Sequence, residues 1–190
     1  MKNLTRIESL FAFKTLAGLG IALLLCCSAN AQESGGTPGS GNTQSSANAQ
    51  GLVMQRSLSL PLAKTIAEAT LAACAEKGYH TAAAVVDRAG QILVILRDER
   101  TTAQVAEMAR RKAYTARMFR TTTLEFQKRT SDNPAYAGQR NLPDILALSG
   151  GAPIKVGDDT IGAVGSAGST LEQDDACAKA GIAKVADLLK

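Results

Sequence analysis

Thr81-Ala82-Ala83-Ala84-Val85-Val86-Asp87-Arg88-Ala89-Gly90-Gln91-Ile92-Leu93-Val94-Ile95-Leu96 is the stretch that decides the fold. Two short runs of small, β-branched and aliphatic residues flank Asp87-Arg88-Ala89-Gly90. The glycine of that turn can take the positive φ that a tight connection needs. The stretch therefore reads as a β-hairpin, Thr81–Val86 turning into Ile92–Leu96.

Upstream, Leu60-Pro61-Leu62 opens a helix with proline in the first turn, where its missing N–H costs nothing. Leu62, Ile66, Ala69 and Ala73 recur at helical spacing, and Gly78 stops the helix after Lys77. Downstream, Thr102 to Arg120 reads as a second helix. Its expected inner stripe is Val105, Ala109, Ala113, Ala116 and Phe119, with Arg110, Arg111, Lys112 and Arg117 on the flanks. A short helical piece over Leu124–Arg129 leads into a loop from Ser131 to Asn141, marked by Asp132-Asn133-Pro134 and Gly138. Strands are expected at Ile145–Leu148 and Pro153–Val156, joined through Ser149-Gly150-Gly151. The turn Gly157-Asp158-Asp159 then leads to a strand from Ile161 to Ser166. A last helix starts at Ser169 or Thr170 with Glu172 close behind, and turns Ala178, Ile182, Val185 and Leu189 inward. Adjacent hairpins imply a mainly antiparallel sheet of about five strands with helices packed on it. This is an α+β layered domain rather than a Rossmann type, and it holds no internal repeat.

The 190 residues are 45% hydrophobic, enough for a core, but aromatics are only 4% and tryptophan is absent. That core must be built from Ala, Val, Ile and Leu. Lys2, Arg6 and Lys14 precede an apolar stretch from Leu16 to Cys27, and Ala29-Asn30-Ala31 offers small residues for cleavage before Gln32. Residues 1–31 thus read as a cleaved secretory signal peptide, the apolar run being shorter than the roughly 20 residues of a membrane span. Lipidation at Cys26 or Cys27 is disfavoured, because Leu25 and Cys26 are not the small residues it needs before the modified position. Without residues 1–31, the 21 basic and 17 acidic residues become 18 and 16, which is no electrostatic footprint for nucleic acid. Residues 32–51 are Gly, Ser, Asn, Thr, Gln and Ala apart from Pro38 and one charge, Glu33, a flexible tether. The folded domain is expected at 52–190, in a periplasmic or secreted location, with no membrane contact once the signal is removed.

Four ordered motifs carry a family resemblance over Leu58–Lys190. Gly78-Tyr79 before Ala83-Ala84-Val85-Val86-Asp87-Arg88-Ala89-Gly90 resembles the opening of the GlcG/HbpS-like family, and Arg110-Arg111-Lys112-Ala113-Tyr114-Thr115-Ala116 with Phe119 resembles its central helix. Gly150-Gly151-Ala152-Pro153-Ile154 with Ile161-Gly162-Ala163-Val164-Gly165 resembles its glycine-rich hairpin, and Asp174 to Ile182 its final helix. The resemblance implies a profilin-like α/β/α sandwich that assembles into homo-oligomers. Members include haem-binding extracellular proteins, a cobalamin-associated domain and a protein encoded with glycolate oxidation. Many members carry a histidine in a Pro-His-Thr turn before the central helix. This chain has Gln104 there, so that ligand role does not carry over.

The site residues follow from both lines of reading. His80, the single histidine, is an ordinary turn residue on the simpler reading and, by elimination, the candidate axial donor to a haem. No Cys-x-x-Cys-His motif is present, so covalent haem attachment is excluded. Gly150 and Gly151 let backbone approach something closely: either a neighbouring helix, or an anionic ligand drawn by Arg111 and Lys112. Thr115 and Phe119 would line such a pocket. Asp158-Asp159 and Asp174-Asp175 have sufficient explanations as turn and helix-start residues, and no metal-ligand cluster emerges. Cys74 and Cys177 remain after signal cleavage and fall in the first and last helices. Because the resembled fold puts those helices on one face of the sheet, a disulfide between them is expected in an oxidising compartment. The leading expectation is a non-enzymatic exported protein that binds a small ligand, haem or a related tetrapyrrole first. The alternatives are a small enzyme acting on a hydroxy acid, and a structural or stress-related homo-oligomer whose glycine-rich hairpins form the interface.

Overall fold

The computed structural model describes residues 51–190. The expected signal peptide and all but the last residue of the expected tether lie outside the described residues. The chain forms α1 (Leu60–Ala75), β1 (Ala82–Val86), β2 (Ile92–Arg97), α2 (Ala103–Phe119), α3 (Thr123–Asp132) and a single turn of helix, α4 (Pro134–Ala137). After these come β3 (Gly151–Val156), β4 (Asp159–Ala167) and α5 (Leu171–Ala183). Among the described residues, no helix is long and apolar enough to cross a membrane.

All five residues of β1 are buried, because this strand is sandwiched between two helical layers. Ala83 and Val85 pack with Ala63, Ile66 and Ala67 of α1 and Ala178 of α5. Ala82, Ala84 and Val86 point the other way, onto Ala109, Ala113 and Ala116 of α2. Period-two alternation thus feeds two cores from one continuous apolar run. The sheet order is β2-β1-β4-β3 with every neighbouring pair antiparallel, which makes the domain the expected α/β/α sandwich.

The sheet has four strands rather than about five. Ile145–Leu148 is not a strand, because side chains of α2 take up its backbone groups. Arg111 donates to the Ile145 carbonyl at 2.6 Å, and the Leu146 N–H donates to Thr115 Oγ1 at 2.9 Å. The segment lies along a helix and needs no neighbouring strand. The region expected as a loop is more helical than its Asn-Pro suggests. The α3 helix runs on to Asp132, and α4 and a 3-10 turn at Gly138–Asn141 follow.

The buried face of α1 is Ala63, Ile66, Ala67, Thr70 and Cys74, rotated from the expected stripe of Leu62, Ala69 and Ala73. This helix packs on α5 as well as on the sheet, and that contact selects small residues. A Cβ added to Gly181 would lie 2.0 Å from Thr70 Oγ1. One turn along the antiparallel pair, Cys74 and Cys177 meet with their Cα atoms 5.6 Å apart, as a disulfide requires. On the other layer, α2 presents alanines to β4 at Gly165, where a Cβ would lie 2.1 Å from the Ala109 carbonyl oxygen.

Candidate functional site

Arg111, Lys112, Thr115, Gly150 and Gly151 do converge, but they converge on packing. Lys112, expected on the flank of α2, has no exposed surface. Its ammonium donates to Asp174 Oδ2 at 2.7 Å and to the Ser166 carbonyl at 3.0 Å. Asp174 in turn accepts from the Ser169 backbone N–H at 3.1 Å and hydroxyl at 2.6 Å. The pair joins α2 on one face of the sheet to α5 on the other. Burial holds the Lys112 ammonium below the ordinary lysine range, and Asp174 opposes that shift. Gly150, with φ +121, leaves room for this lysine, since a Cβ there would lie 2.9 Å from Nζ. Gly151 lies under the carbonyl of Lys112 itself. A lysine on a helix flank ordinarily reads as solvated. Its burial follows only from the glycines opposite and from an aspartate 62 residues away.

Thr115 is likewise committed, donating to the Arg111 carbonyl while accepting from Leu146. Phe119 is half-buried against Phe126 with ring centroids 4.3 Å apart, and the Arg129 guanidinium lies 5.5 Å from the centroids of Phe119, Phe126 and Tyr136. That stack fixes α3 to the end of α2. None of these residues lines the recess beside His80.

His80 stands apart from this cluster, just before β1. Its Nδ1 is 3.1 Å from Asp98 Oδ2, and its side chain is 39% exposed. Asp98 is itself fixed, by Arg100 through side-chain contacts at 3.2 Å and through the Arg100 backbone N–H at 2.9 Å. Those bonds from Arg100, with His80 adding to them, hold the Asp98 carboxyl well below the usual carboxylate range. An ionised Asp98 favours the tautomer with the proton on Nδ1 and leaves Nε2 as the lone-pair nitrogen. Asp98, though not His80 itself, borders a recess of about 290 Å³ whose apolar wall is Leu71, Ala72 and Ala75 of α1, with Tyr79, Thr81, Arg97 and Glu99 around it. Thr81 Oγ1 is buried there without a hydrogen-bond partner.

A carboxylate on one ring nitrogen with the other left free is the usual setting of a metal-ligating histidine. The edge also offers an apolar wall and the cations Arg97 and Arg100. An imidazole held in this way is a candidate axial donor to a metal. Sequence reasoning named His80 and missed Asp98. The pairing crosses the hairpin, where the Asp98 N–H donates to the Thr81 carbonyl at 3.0 Å, and the hairpin register could have found it.

Comparison with known proteins gives the following. The model of the HbpS-like family, described as haem degrading protein HbpS-like, matches residues 58–183. A 15.0 kDa protein of Citrobacter freundii, encoded between dhaT and dhaS and described as uncharacterised, is 31% identical over 119 residues, 62% of this chain and 84% of that protein. The crystal structure of HbpS is 34% identical with a TM-score of 0.68, covering 72% of this chain and 96% of the other. The PduOC–haem complex shares the fold at 24% identity and a TM-score of 0.60, covering 67% of this chain and 94% of that one.

Proposed function

The chain belongs to the HbpS-like family, and from that premise we propose that it is an exported haem-binding protein with His80 as the iron ligand. The observation that carries the reading is the His80–Asp98 pair beside an apolar recess. Asp98 would hold the imidazole in one tautomer and orientation, Leu71, Ala72 and Ala75 would shield one side of the macrocycle, and Arg97 and Arg100 would meet its propionates. Bound haem would supply a redox-active iron.

Export rests on the residues read as a signal peptide, and it agrees with the meeting of Cys74 and Cys177, which an oxidising compartment would bond. Assembly into a homo-oligomer belongs to the same proposal. In the glycine-rich hairpin, α2 covers Gly151 and Gly165 on one face of the sheet. The outer strand β2 is the better surface, since Ile92 and Ile95 are 49% and 38% exposed there.

The test is a haemin titration of the purified protein followed in the Soret region. A saturable, shifted band is expected, lost or displaced in His80→Ala and weakened in Asp98→Asn. A saturable band identical in both variants would remove His80 from the proposal, and no band beyond free haemin would remove haem.

A further inference from the structure

At the far end of β1, where Asp87 begins the turn, three arginines from the β1–β2 turn and the end of α2 converge on one pocket of about 170 Å³. Arg88 comes from the β1–β2 turn, Arg117 from the last turn of α2 and Arg120 from the residue that ends it. Asp158, Asp159 and Thr160 close the other side. Asp159 is taken by an ion pair with Arg88. Arg88 Nε also donates to the Arg56 carbonyl at 2.7 Å. Arg117 and Arg120 have no side-chain hydrogen-bond partner among the described residues, although the carboxylates of Asp159 and Asp87 act on the charge of Arg117 and Asp158 lines the same pocket.

Two buried atoms in this pocket lack any hydrogen-bond partner: Arg117 Nε and Thr160 Oγ1. Thr160 is 4% exposed, so water does not serve its hydroxyl freely. A buried donor without a partner keeps an unmet desolvation cost, larger when the group is charged, so two such atoms on residues lining one pocket call for an acceptor. The Arg117 guanidinium is held below the usual arginine range, first by burial and then by the positive charges of Arg88 and Arg120. Arg120 also sits at φ +55, a left-handed conformation that costs a side-chain-bearing residue energy and brings its charge back toward the other two.

We propose that this pocket binds a single small oxyanion of the phosphate class. A tetrahedral anion presents several acceptor oxygens at once, which suits the guanidiniums of Arg117 and Arg120 and the Thr160 hydroxyl, with Arg88 held beside them by Asp159 and the Arg56 carbonyl. A planar carboxylate offers two. The site shares no residue with the His80 edge and lies at the opposite end of β1, so it stands or falls independently of haem binding.

The experiment is isothermal titration calorimetry of the purified protein with inorganic phosphate in chloride buffer. Saturable binding at one site per chain is expected, weakened about ten- to hundred-fold in Arg117→Gln and to a lesser degree in Thr160→Val. If Arg117→Gln does not fold, Arg120→Gln, whose side chain is exposed, takes its place with the same expected loss. Glycerol phosphate in a parallel titration separates the two sources of the anion. Tighter binding of the ester assigns the pocket to the terminal phosphate of a larger molecule, and tighter binding of free phosphate assigns it to the inorganic ion. Heats that follow ionic strength alone would overturn the proposal. Acetate binding as tightly as phosphate, or unchanged affinity in both Arg117→Gln and Arg120→Gln, would overturn it as well.

Discussion

Lys112 is the largest fully buried side chain of the described domain, and its contribution can be read by removing its partner. Asp174→Ala leaves a buried ammonium with the Ser166 carbonyl alone and is expected to cost about 3–5 kcal/mol, measured by urea unfolding. The double variant Lys112→Met/Asp174→Leu removes both charges and should cost far less than the sum of the single changes. An additive result would mean that the two groups do not depend on each other. Gly165→Ala tests the close approach of α2 to β4. The added methyl meets backbone rather than a flexible side chain, so the helix must move, and a loss of about 1–3 kcal/mol is expected in the same assay. Both residues were legible as types, but their partners lie on distant elements.

At the scale of elements, α3 is held at its start by a reciprocal capping box. Thr122 Oγ1 accepts from the Glu125 N–H at 3.2 Å while the Glu125 carboxylate accepts from the Thr122 N–H at 3.1 Å. Thr122→Ala should cost about 1 kcal/mol by thermal or urea unfolding. Hydrogen bonds from Thr121, then from Thr122, hold the Glu125 carboxyl below its ordinary value of 4.5. The native state therefore binds fewer protons than the unfolded chain, so this stability is present above about pH 4.5 and is lost as pH falls through the native value. Melting temperatures recorded from about pH 5 down to about pH 3 should decline less steeply in Glu125→Gln than in the parent. An unchanged slope would place the acid sensitivity elsewhere. The helices were readable because their caps and periodicity are local. The false strand at Ile145–Leu148 was not, because Arg111 and Thr115 rather than a β neighbour satisfy its backbone.

For the molecule as a whole, the bond proposed between Cys74 and Cys177 would close a loop spanning 103 residues between the first and last helices. The chain-entropy account gives about 4–5 kcal/mol for a loop of this size, as an upper figure. Urea unfolding with and without reductant should separate the two states by most of that amount, with thiol counting to confirm that the reductant acted. Equal midpoints would show that the α1–α5 contact holds the layers unaided. Light scattering of the purified protein tests assembly at the same scale, and Ile95→Lys on the β2 edge should shift an oligomer toward monomers. A monomer at every concentration would remove assembly from the proposal.

The sequence by itself determined the three long helices, the four strands of the sheet and their antiparallel hairpins, while the sandwich of two helical layers was implied only by the family resemblance. Period, turn chemistry and capping act over a few residues and are written where they act. It also singled out His80 and both cysteines by type and position. Tertiary structure alone decided that Lys112 is a buried ion-pair partner rather than a surface cation. It also set the buried face of α1, which depends on a glycine more than a hundred residues later. It alone brought the arginines to one pocket. Those outcomes depend on which side chains meet across the sheet, and burial changes the meaning of a charge only once its surroundings are in place.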